Sequence, residues 1–316
     1  NEEVVPFLEN VTRGRGIPRE RLEVVGKHYY HFDGVSPING LNREIIHNVE
    51  GELKKRGHNL PVYFGNRNWH PFGTATAEKM AEEGIRNVAV FATSAWGGYS
   101  ACRQYDEDIA AMRQHLADKG LPEIEFTKIR QFYDHPKFIA EMVDAVAEAW
   151  QRIPAEKMDS ARMLFTAHSV PNAHDNVGGA DGDKNLYSRQ VAEASRLVAE
   201  RAGISDYDLV WQSRSGNPKT PWLEPDIVDH TTAIHDRDGV DAVVVCPIGF
   251  ISDHMEVIWD LDSELQAAAD EMGVQVERAR TAGPSQRFAG MIVDLVEELE
   301  QGQPWETSGN VTVQGC

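Results

Sequence analysis

The segment from Asp241 to Phe250 limits the fold more than any other, because its interior, Ala-Val-Val-Val-Cys-Pro-Ile-Gly, carries no charged side chain. A strand that is apolar on both faces is typical of a parallel sheet covered by helices on each side. Carboxylates are frequent in the helix-like residues that follow, from Ser252 to Glu264. Open parallel sheets bind ligands at the carboxyl ends of their strands, so this junction is also a candidate site.

Short β-branched runs alternate with amphipathic stretches along most of the chain. This alternation predicts an α/β fold with doubly wound parallel sheets. The predicted strands are Leu60–Gly65, Asn87–Thr93, Ile124–Ile129, Ala161–Ala167, Tyr207–Gln212, Asp241–Pro247 and Val274–Arg278. The predicted helices are 40–56, 73–84, 101–119, 136–152, 186–202, 224–236, 261–272 and 284–300.

A length of 316 residues favours two domains, since single cores rarely grow beyond about 250–300 residues. We place the boundary at Ile153, where a long predicted helix ends before a new strand. Residues 1–152 and 153–301 then form one domain each, and residues 302–316, rich in Gly, Thr, Gln and Ser, form an irregular extension. Four strands are predicted in the second domain and three in the first. If the two domains are similar units, we expect the first strand of the first domain to precede Asn1.

The charge of the chain argues against several classes of partner. It has 50 acidic and 31 basic residues, a net charge of −19, and no basic stripe, so we expect no binding to nucleic acid. No apolar run approaches the roughly 20 residues of a membrane span. The three scattered cysteines do not form a disulfide framework, which predicts a cytoplasmic protein.

Two strand ends carry side chains that could do chemistry together. Glu256, Asp260 and Glu264 are four residues apart, so on an α-helix they would stack on one face, and a cation would relieve their repulsion. His168 ends the buried strand Ala161–Ala167. A histidine and a glutamate on adjacent strand ends indicate either a metal site or a general acid–base pair.

Several weaker signals lie elsewhere. Arg13, on the glycine-rich loop Thr12–Gly16, is a candidate partner for a ligand carboxylate, because guanidinium groups bind carboxylates in a bidentate manner. Ser36 offers a hydroxyl in a turn, and Tyr105 lies one turn into a helix that follows a glycine-rich segment. The tryptophans of the loop Trp211–Pro225 could either flank a flat ligand or cover the core.

Over essentially its whole length the chain resembles the ferrochelatases. The residues that carry this resemblance are Gly34–Ile38, Phe165–Pro171, Trp211–Ser213 with Pro221–Pro225, and Gly249–Glu256. In Phe7–Gly16 and Gly65–Trp69 it is similar to the actinobacterial branch of that family, whose members insert iron into coproporphyrin III.

The resemblance implies a lyase of the metal chelatase class that makes Fe-coproporphyrin (coproheme) in haem biosynthesis. It also implies two similar Rossmann-like, chelatase-type domains, each with a four-stranded parallel sheet flanked by helices, and an active-site cleft between them. In this interpretation His168 and Glu256 handle the iron and the pyrrole protons, and which of them takes the proton stays open. Asp260 and Glu264 match the family's acidic ladder, which often contains a π-type widening, and form a path for Fe²⁺, with Glu264 outermost. Ser36 and Tyr105 match porphyrin-contacting positions.

Many actinobacterial members carry a 2Fe–2S cluster, and Cys102 and Cys316 match two of its ligand positions. The chain offers no counterpart for the other two ligands, so the sequence leaves open whether a cluster is present. We expect the third cysteine, Cys246, to be a buried core residue. We further expect a monomer that takes coproporphyrin III and ferrous iron as substrates and makes transient contacts with neighbouring haem-pathway enzymes.

Other functions remain alternatives to this one. The first is a ferrochelatase that uses protoporphyrin, and the second is a cobalt chelatase of related architecture that acts on a corrin precursor. The third is a non-catalytic porphyrin or haem carrier, which would need a binding cleft but no acidic route for a metal.

Overall fold

Four parallel strands form the larger sheet of this computed structural model, which describes residues 2–14, 16–177, 184–215 and 219–302. The strands are β3 (Ala161–His168), β4 (Tyr207–Gln212), β5 (Ala242–Cys246) and β6 (Gln275–Arg278), in the spatial order β4-β3-β5-β6. Every residue of β5 is buried, as its apolar sequence predicts. In the register of the sheet His168 lies beside Gln212, so the ends of β3 and β4 meet at one edge.

The smaller sheet contains β1 (Asn87–Val90) and β2 (Glu125–Lys128), which pair in parallel from Asn87 with Glu125 to Val90 with Lys128. The two sheets are thus parallel and flanked by helices, which confirms the predicted fold class. Twelve α-helices occur among the described residues: α1 (Val4–Val11), α2 (Arg19–His31), α3 (Ile38–Lys55), α4 (Gly73–Glu82), α5 (Gln104–Asp118), α6 (Pro136–Trp150), α7 (Asn172–Asp175), α8 (Leu186–Ala202), α9 (Ile227–Asp238), α10 (Met255–Trp259), α11 (Gln266–Met272) and α12 (Gln286–Gln301).

The first sheet has two strands in its described part, whereas the sequence predicts three strands for this half of the chain. Leu60–Gly65, which was predicted as a strand, is not part of any strand. Extended backbone joins a sheet only beside a partner about 4.8 Å away, and within the described ranges β1 pairs on one edge with β2 alone. The predicted strand before Asn1 is not tested by these residues.

Two π-helical turns interrupt the regular helices. One, Tyr99–Arg103, leads into α5, and the other, Asp260–Leu265, joins α10 to α11. The second turn falls within the predicted acidic ladder. An inserted π turn widens the helix locally and is frequent at functional sites. Asp260 and Glu264 therefore do not occupy the positions of an ideal α-helical face.

The main hydrophobic core connects the two halves of the chain. Ile45 and Val49 on α3 belong to the same buried cluster as Phe288 and Ile292 on α12. The last helix thus packs against an early one, and one buried cluster contains residues from both halves of the chain. No helix in the described ranges has the length and apolar character needed to cross a membrane.

Candidate active site

His168, the last residue of β3, has one ring nitrogen fixed and the other facing a carboxylate. Its Nδ1 lies 2.5 Å from the carbonyl oxygen of Ser169. A carbonyl only accepts hydrogen bonds, so Nδ1 carries the proton and Nε2 keeps its lone pair. Nε2 lies 3.7 Å from Oε2 of Glu256. The side chains of both residues are accessible, at 34% and 59% exposed. The predicted pair is therefore brought together at one strand edge.

Glu256 lies in the first turn of α10, and the loop that leads to it passes very close to β3. A Cβ on Gly249 would lie 2.4 Å from the Cβ of Ala167, so only glycine permits this approach. His254 then caps the helix, because its Nδ1 accepts hydrogen bonds from the backbone N–H groups of Glu256 and Val257 at 3.2 and 3.4 Å. His254 is thus a capping residue, and burial lowers its pKa.

Asp260 is a carboxyl group of the ladder whose surroundings shift its pKa. Burial raises its pKa to about 6; hydrogen bonds from Ser213 and Gln212 act in the opposite direction, and the neighbouring Glu256 and Glu264 raise it further. Carboxyl groups whose pKa is raised toward neutral pH by burial and by neighbouring negative charges are common at functional sites.

The other two carboxylates of the segment Ser252–Glu264 form ion pairs with an arginine. Arg278, at the end of β6, binds Asp253 at 2.9 Å and Asp262 at 2.6 Å. Bidentate arginine contacts of this kind neutralise both side chains. Glu256, Asp260 and Glu264 are therefore the carboxylates of this segment that line the cavity.

Helix α2 covers the ladder from the opposite side and was not predicted. The ring of His28 stacks on Trp259, with ring centroids 3.9 Å apart and planes inclined by 6°. Burial lowers the pKa of His28, and Glu264 partly opposes that effect. Tyr29 lines the cavity, and burial, assisted by the charge of Glu256, raises its pKa to about 12. The apolar spacing of Leu22, Val25 and Tyr29 was the signal that could have revealed this helix.

A cavity of about 2060 Å³ runs between these elements. Glu256, Asp260, Glu264, Ser36 and Tyr105 all line it, and His168 adjoins it through its contact with Glu256. The volume exceeds the roughly 300–1,000 Å³ of most ligand pockets. The cavity also reaches β1, where residues 88–90 line it.

Arginine side chains reach the cavity, but Arg13 does not. The guanidinium group of Arg13 contacts the side chain of Asn10 outside the lining. Arg67 instead lies over the ring of Tyr105, with its Cζ atom 4.8 Å from the ring centroid, and it pairs with Asp108 at 2.7 Å. Arg21 and Arg214 also line the cavity. Sequence reasoning missed all three, since isolated arginines carry no local signal.

Of the two tryptophans considered for a flat ligand, Trp211 is a core residue. It is 4% exposed and packs near Tyr187. The indole N–H of Trp222 is buried, and within the described residues it has no hydrogen-bond partner. The alternative in which these rings cover the core is thus confirmed for Trp211.

The sequence model of the ferrochelatase family matches residues 1–300. The chain belongs to the ferrochelatase family. It is thus a metal chelatase of the lyase class, as predicted, and ferrous iron is its substrate metal. Curated relatives named coproporphyrin III ferrochelatase include that of Corynebacterium glutamicum, 58% identical over 100% of this chain and 85% of the relative. Those of Nocardia farcinica (100% of this chain, 89% of the relative) and Mycolicibacterium smegmatis (96% and 87%) are 56% identical.

Solved chelatase structures share the fold of this ferrochelatase. SirB from Bacillus subtilis with Fe³⁺ superposes with a TM-score of 0.54 at 16% identity, over 83% of this chain and 91% of SirB. The sirohydrochlorin chelatase SirB from Bacillus subtilis subspecies spizizenii, in complex with cobalt, gives 0.52 at 15% identity, over 83% and 90%. At these identities the likeness concerns the fold alone.

The cysteines of this ferrochelatase have different surroundings. Cys102 is buried beside Lys128, whose Nζ lies 3.0 Å from its Sγ. Cys246 lies inside β5, and burial raises the pKa of its thiol. It is a core residue, as predicted. Cys316 lies outside the described residues.

Proposed function

We propose that this ferrochelatase inserts Fe²⁺ into coproporphyrin III and forms coproheme in haem biosynthesis. The observation that carries the proposal is the His168–Glu256 pair, 3.7 Å apart, from which Asp260 and Glu264 continue along one wall of the cavity. The names of the relatives, 53–58% identical, support the choice of coproporphyrin.

In the proposed reaction the porphyrin loses two pyrrole N–H protons and gains one Fe²⁺. The Nε2 lone pair of His168 accepts a pyrrole proton, since Nδ1 is already held by the carbonyl group of Ser169. Glu256 is the more exposed partner and passes protons onward. Hydrated iron moves inward past Glu264 and Asp260, because hard divalent cations prefer carboxylate oxygens.

The four carboxylates of coproporphyrin need local cations on a chain of net charge −19. Arg67, Arg21 and Arg214 line the cavity and supply them in this proposal, in place of Arg13. Arg67 and Tyr105 contact each other, so one carboxylate would be held beside the ring of Tyr105. Ser36, at the entrance to α3, lines the same cavity and offers a hydroxyl group.

Iron insertion assayed with coproporphyrin III, protoporphyrin and a corrin precursor tests the proposal. We expect turnover with coproporphyrin III and little with the others. A carrier would bind porphyrin without turnover, and a cobalt chelatase would prefer the corrin precursor with cobalt; either result contradicts the proposal.

His168→Ala tests the role of the histidine. General acid–base groups contribute about 10²–10⁴-fold to rates, so we expect insertion to fall by at least about 100-fold. Porphyrin binding, measured by fluorescence quenching, should stay within about twofold because the cavity is unchanged. His47→Ala, an exposed position outside the cavity lining, is the matched control. Near-normal insertion by His168→Ala would show that the assignment is wrong.

The remaining predictions belong to the same proposal. We place the domains at residues 1–152 and 153–301; the predicted extension over 302–316 lies outside the described residues after Gly302. We also propose a cytoplasmic monomer that contacts neighbouring haem-pathway enzymes transiently. Sedimentation of the protein alone tests the monomer.

A 2Fe–2S cluster does not fit the described residues. Such a cluster takes four protein ligands, and at this place the described chain supplies one cysteine, Cys102. Cys316 is outside those residues, so no step of the reaction is assigned to a cluster. An absorbance spectrum of the purified protein tests for one.

A further inference from the structure

Gln212, the last residue of β4, connects the sheet to the acidic ladder. Its side chain is 1% exposed, and its Oε1 accepts a hydrogen bond of 3.2 Å from the hydroxyl group of Thr166 on β3. Its Nε2 then donates to Oδ2 of Asp260 at 3.2 Å. The flipped amide would place an oxygen against a carboxylate, which is unfavourable.

Ser213, the next residue, donates from its hydroxyl group to the same Oδ2 atom. Its backbone has a φ of +63°, in the left-handed region that residues other than glycine rarely adopt. Such a conformation costs free energy and persists only where the surrounding structure imposes it. Here it brings a second donor to the carboxylate of Asp260.

Both donors bind one oxygen of Asp260 and leave the other available. Within the described chain Oδ1 accepts no hydrogen bond from the protein, and Asp260 lines the cavity between Glu256 and Glu264. The two donors belong to β4 and its following residue, so the orientation of Asp260 does not depend on the π turn alone. A carboxylate held by one oxygen offers a fixed single-oxygen ligand to a cation.

We propose that Gln212 and Ser213 are positioning residues for the passage of Fe²⁺, holding Asp260 with Oδ1 turned toward the incoming ion. The inference rests on the proposed function, because it assumes that iron travels along the ladder. It assigns to the end of β4 a role in iron delivery and none in porphyrin binding. The effect of each side chain is transmitted through Asp260, so it disappears when Asp260 no longer carries a carboxylate.

Steady-state insertion kinetics with coproporphyrin III and Fe²⁺ test the inference in Gln212→Leu and Ser213→Gly. Losing one hydrogen bond to a charged group should raise KM for Fe²⁺ by about tenfold. KM for coproporphyrin III should stay within about twofold of the native value. General loosening of the fold would raise both KM values, so this difference between the two substrates identifies a positioning role. Ser213→Gly keeps the left-handed backbone readily, so it remains informative if Gln212→Leu does not fold.

The control is Gln114→Leu, which removes another hydrogen bond from a glutamine to an aspartate, 2.6 Å long, at exposed residues of α5 outside the cavity lining. It should change neither KM. In an Asp260→Asn background, Gln212→Leu and Ser213→Gly should have no further effect on KM for Fe²⁺, since coupled residues are non-additive.

Equal rises of both KM values, or additive effects in the Asp260→Asn background, would overturn the inference while the proposed function stands. An unchanged KM for Fe²⁺ in Ser213→Gly would do the same. Failure of the unmodified protein to insert iron into any porphyrin would instead remove the proposed function, and the inference with it.

Discussion

Two side chains of the candidate site, His168 and Asp260, share one arrangement: one polar atom is held by a hydrogen bond and the other is left open. The Nδ1 of His168 is held by the carbonyl group of Ser169, and Oδ2 of Asp260 by Gln212 and Ser213. In the proposed reaction the open atoms have the active roles, because Nε2 accepts a proton and Oδ1 faces the incoming ion. Because Nδ1 and Oδ2 are already held by hydrogen bonds, the side chains need less reorganisation when a metal or proton arrives.

At the residue scale, Asp260→Asn should stabilise the protein at neutral pH. The carboxyl group has a pKa raised from 3.8 to about 6, chiefly by burial. Stability associated with this group is therefore present below pH 3.8 and is lost as the pH rises through 6. A neutral amide avoids that loss, so we expect a gain of about 1–2 kcal/mol in unfolding free energy at pH 7.5.

Urea unfolding of both proteins at pH 7.5, 6 and 5 measures this difference, which should shrink as the pH falls from 6 toward 4 because the native carboxyl group becomes neutral. Iron insertion by the same variant should fall. A variant that is less stable than the native protein at pH 7.5 would contradict the burial argument.

At the scale of elements, most helices and the second sheet could be predicted because their signals are local. The periodicity at 136–152 became α6, and the apolar run from Asp241 became β5. The strand predicted at Leu60–Gly65 was wrong, because a strand-like composition does not supply a pairing partner. Strand pairing depends on residues elsewhere in the chain. The π turn at Asp260 could not be predicted from residue spacing alone, since the same residues fit an α-helix equally well.

Helix α2 was missed because its many polar and aromatic residues blur its apolar stripe, yet it completes the site. Leu22 is buried against Val4 and Leu8 of α1, and His28 covers Trp259 of α10. The candidate residues His168 and Glu256 were accessible to sequence reasoning because they follow buried strands. The residues that face them from α2 belong to a separate part of the chain, which no local pattern connects to the ladder.

Trp259→Leu should release α2 from the ladder. Stacking of the Trp259 ring on His28 and its edge contact with His31, 5.8 Å between centroids, would both be lost. Aromatic pairs contribute about 0.5–1.5 kcal/mol beyond burial, so amide hydrogen exchange over residues 19–31 should accelerate by about tenfold. Exchange over β3 should not change. Trp150→Leu, on the distant helix α6, serves as the control and should leave residues 19–31 protected.

On the scale of the whole molecule, the halves are joined by α12 and its charged partners. Arg56 at the end of α3 binds Asp294 at 2.8 Å and Glu297 at 2.9 Å, and Lys137 of α6 binds Asp294 at 2.6 Å. Together with the core shared by α3 and α12, these contacts fix how the two sheets sit around the cavity. The site therefore depends on contacts formed between residues more than 200 positions apart.

His135, at the start of α6 in this junction, makes global stability sensitive to acid. It is 3% exposed, and its Nδ1 accepts a hydrogen bond from the backbone N–H of Lys137 at 3.2 Å. Protonation would remove that acceptor. Burial lowers the pKa of His135 to about 4; the charges of Arg130 and Lys137 add to this, and Asp294 opposes it.

The unfolded chain therefore takes up a proton near pH 6.5, whereas the folded protein resists it down to about pH 4. Because the unfolded state binds more protons in this window, the free energy of unfolding falls as the pH falls, by about 2–3 kcal/mol for this group. His135→Asn keeps a side-chain oxygen that caps α6 but does not titrate. Urea unfolding at pH 7, 6 and 5 should show a shallower decline for this variant than for the native protein, and His47→Asn, an exposed position, should follow the native curve. Parallel curves for the native protein and His135→Asn would show that the acid sensitivity of the junction arises elsewhere.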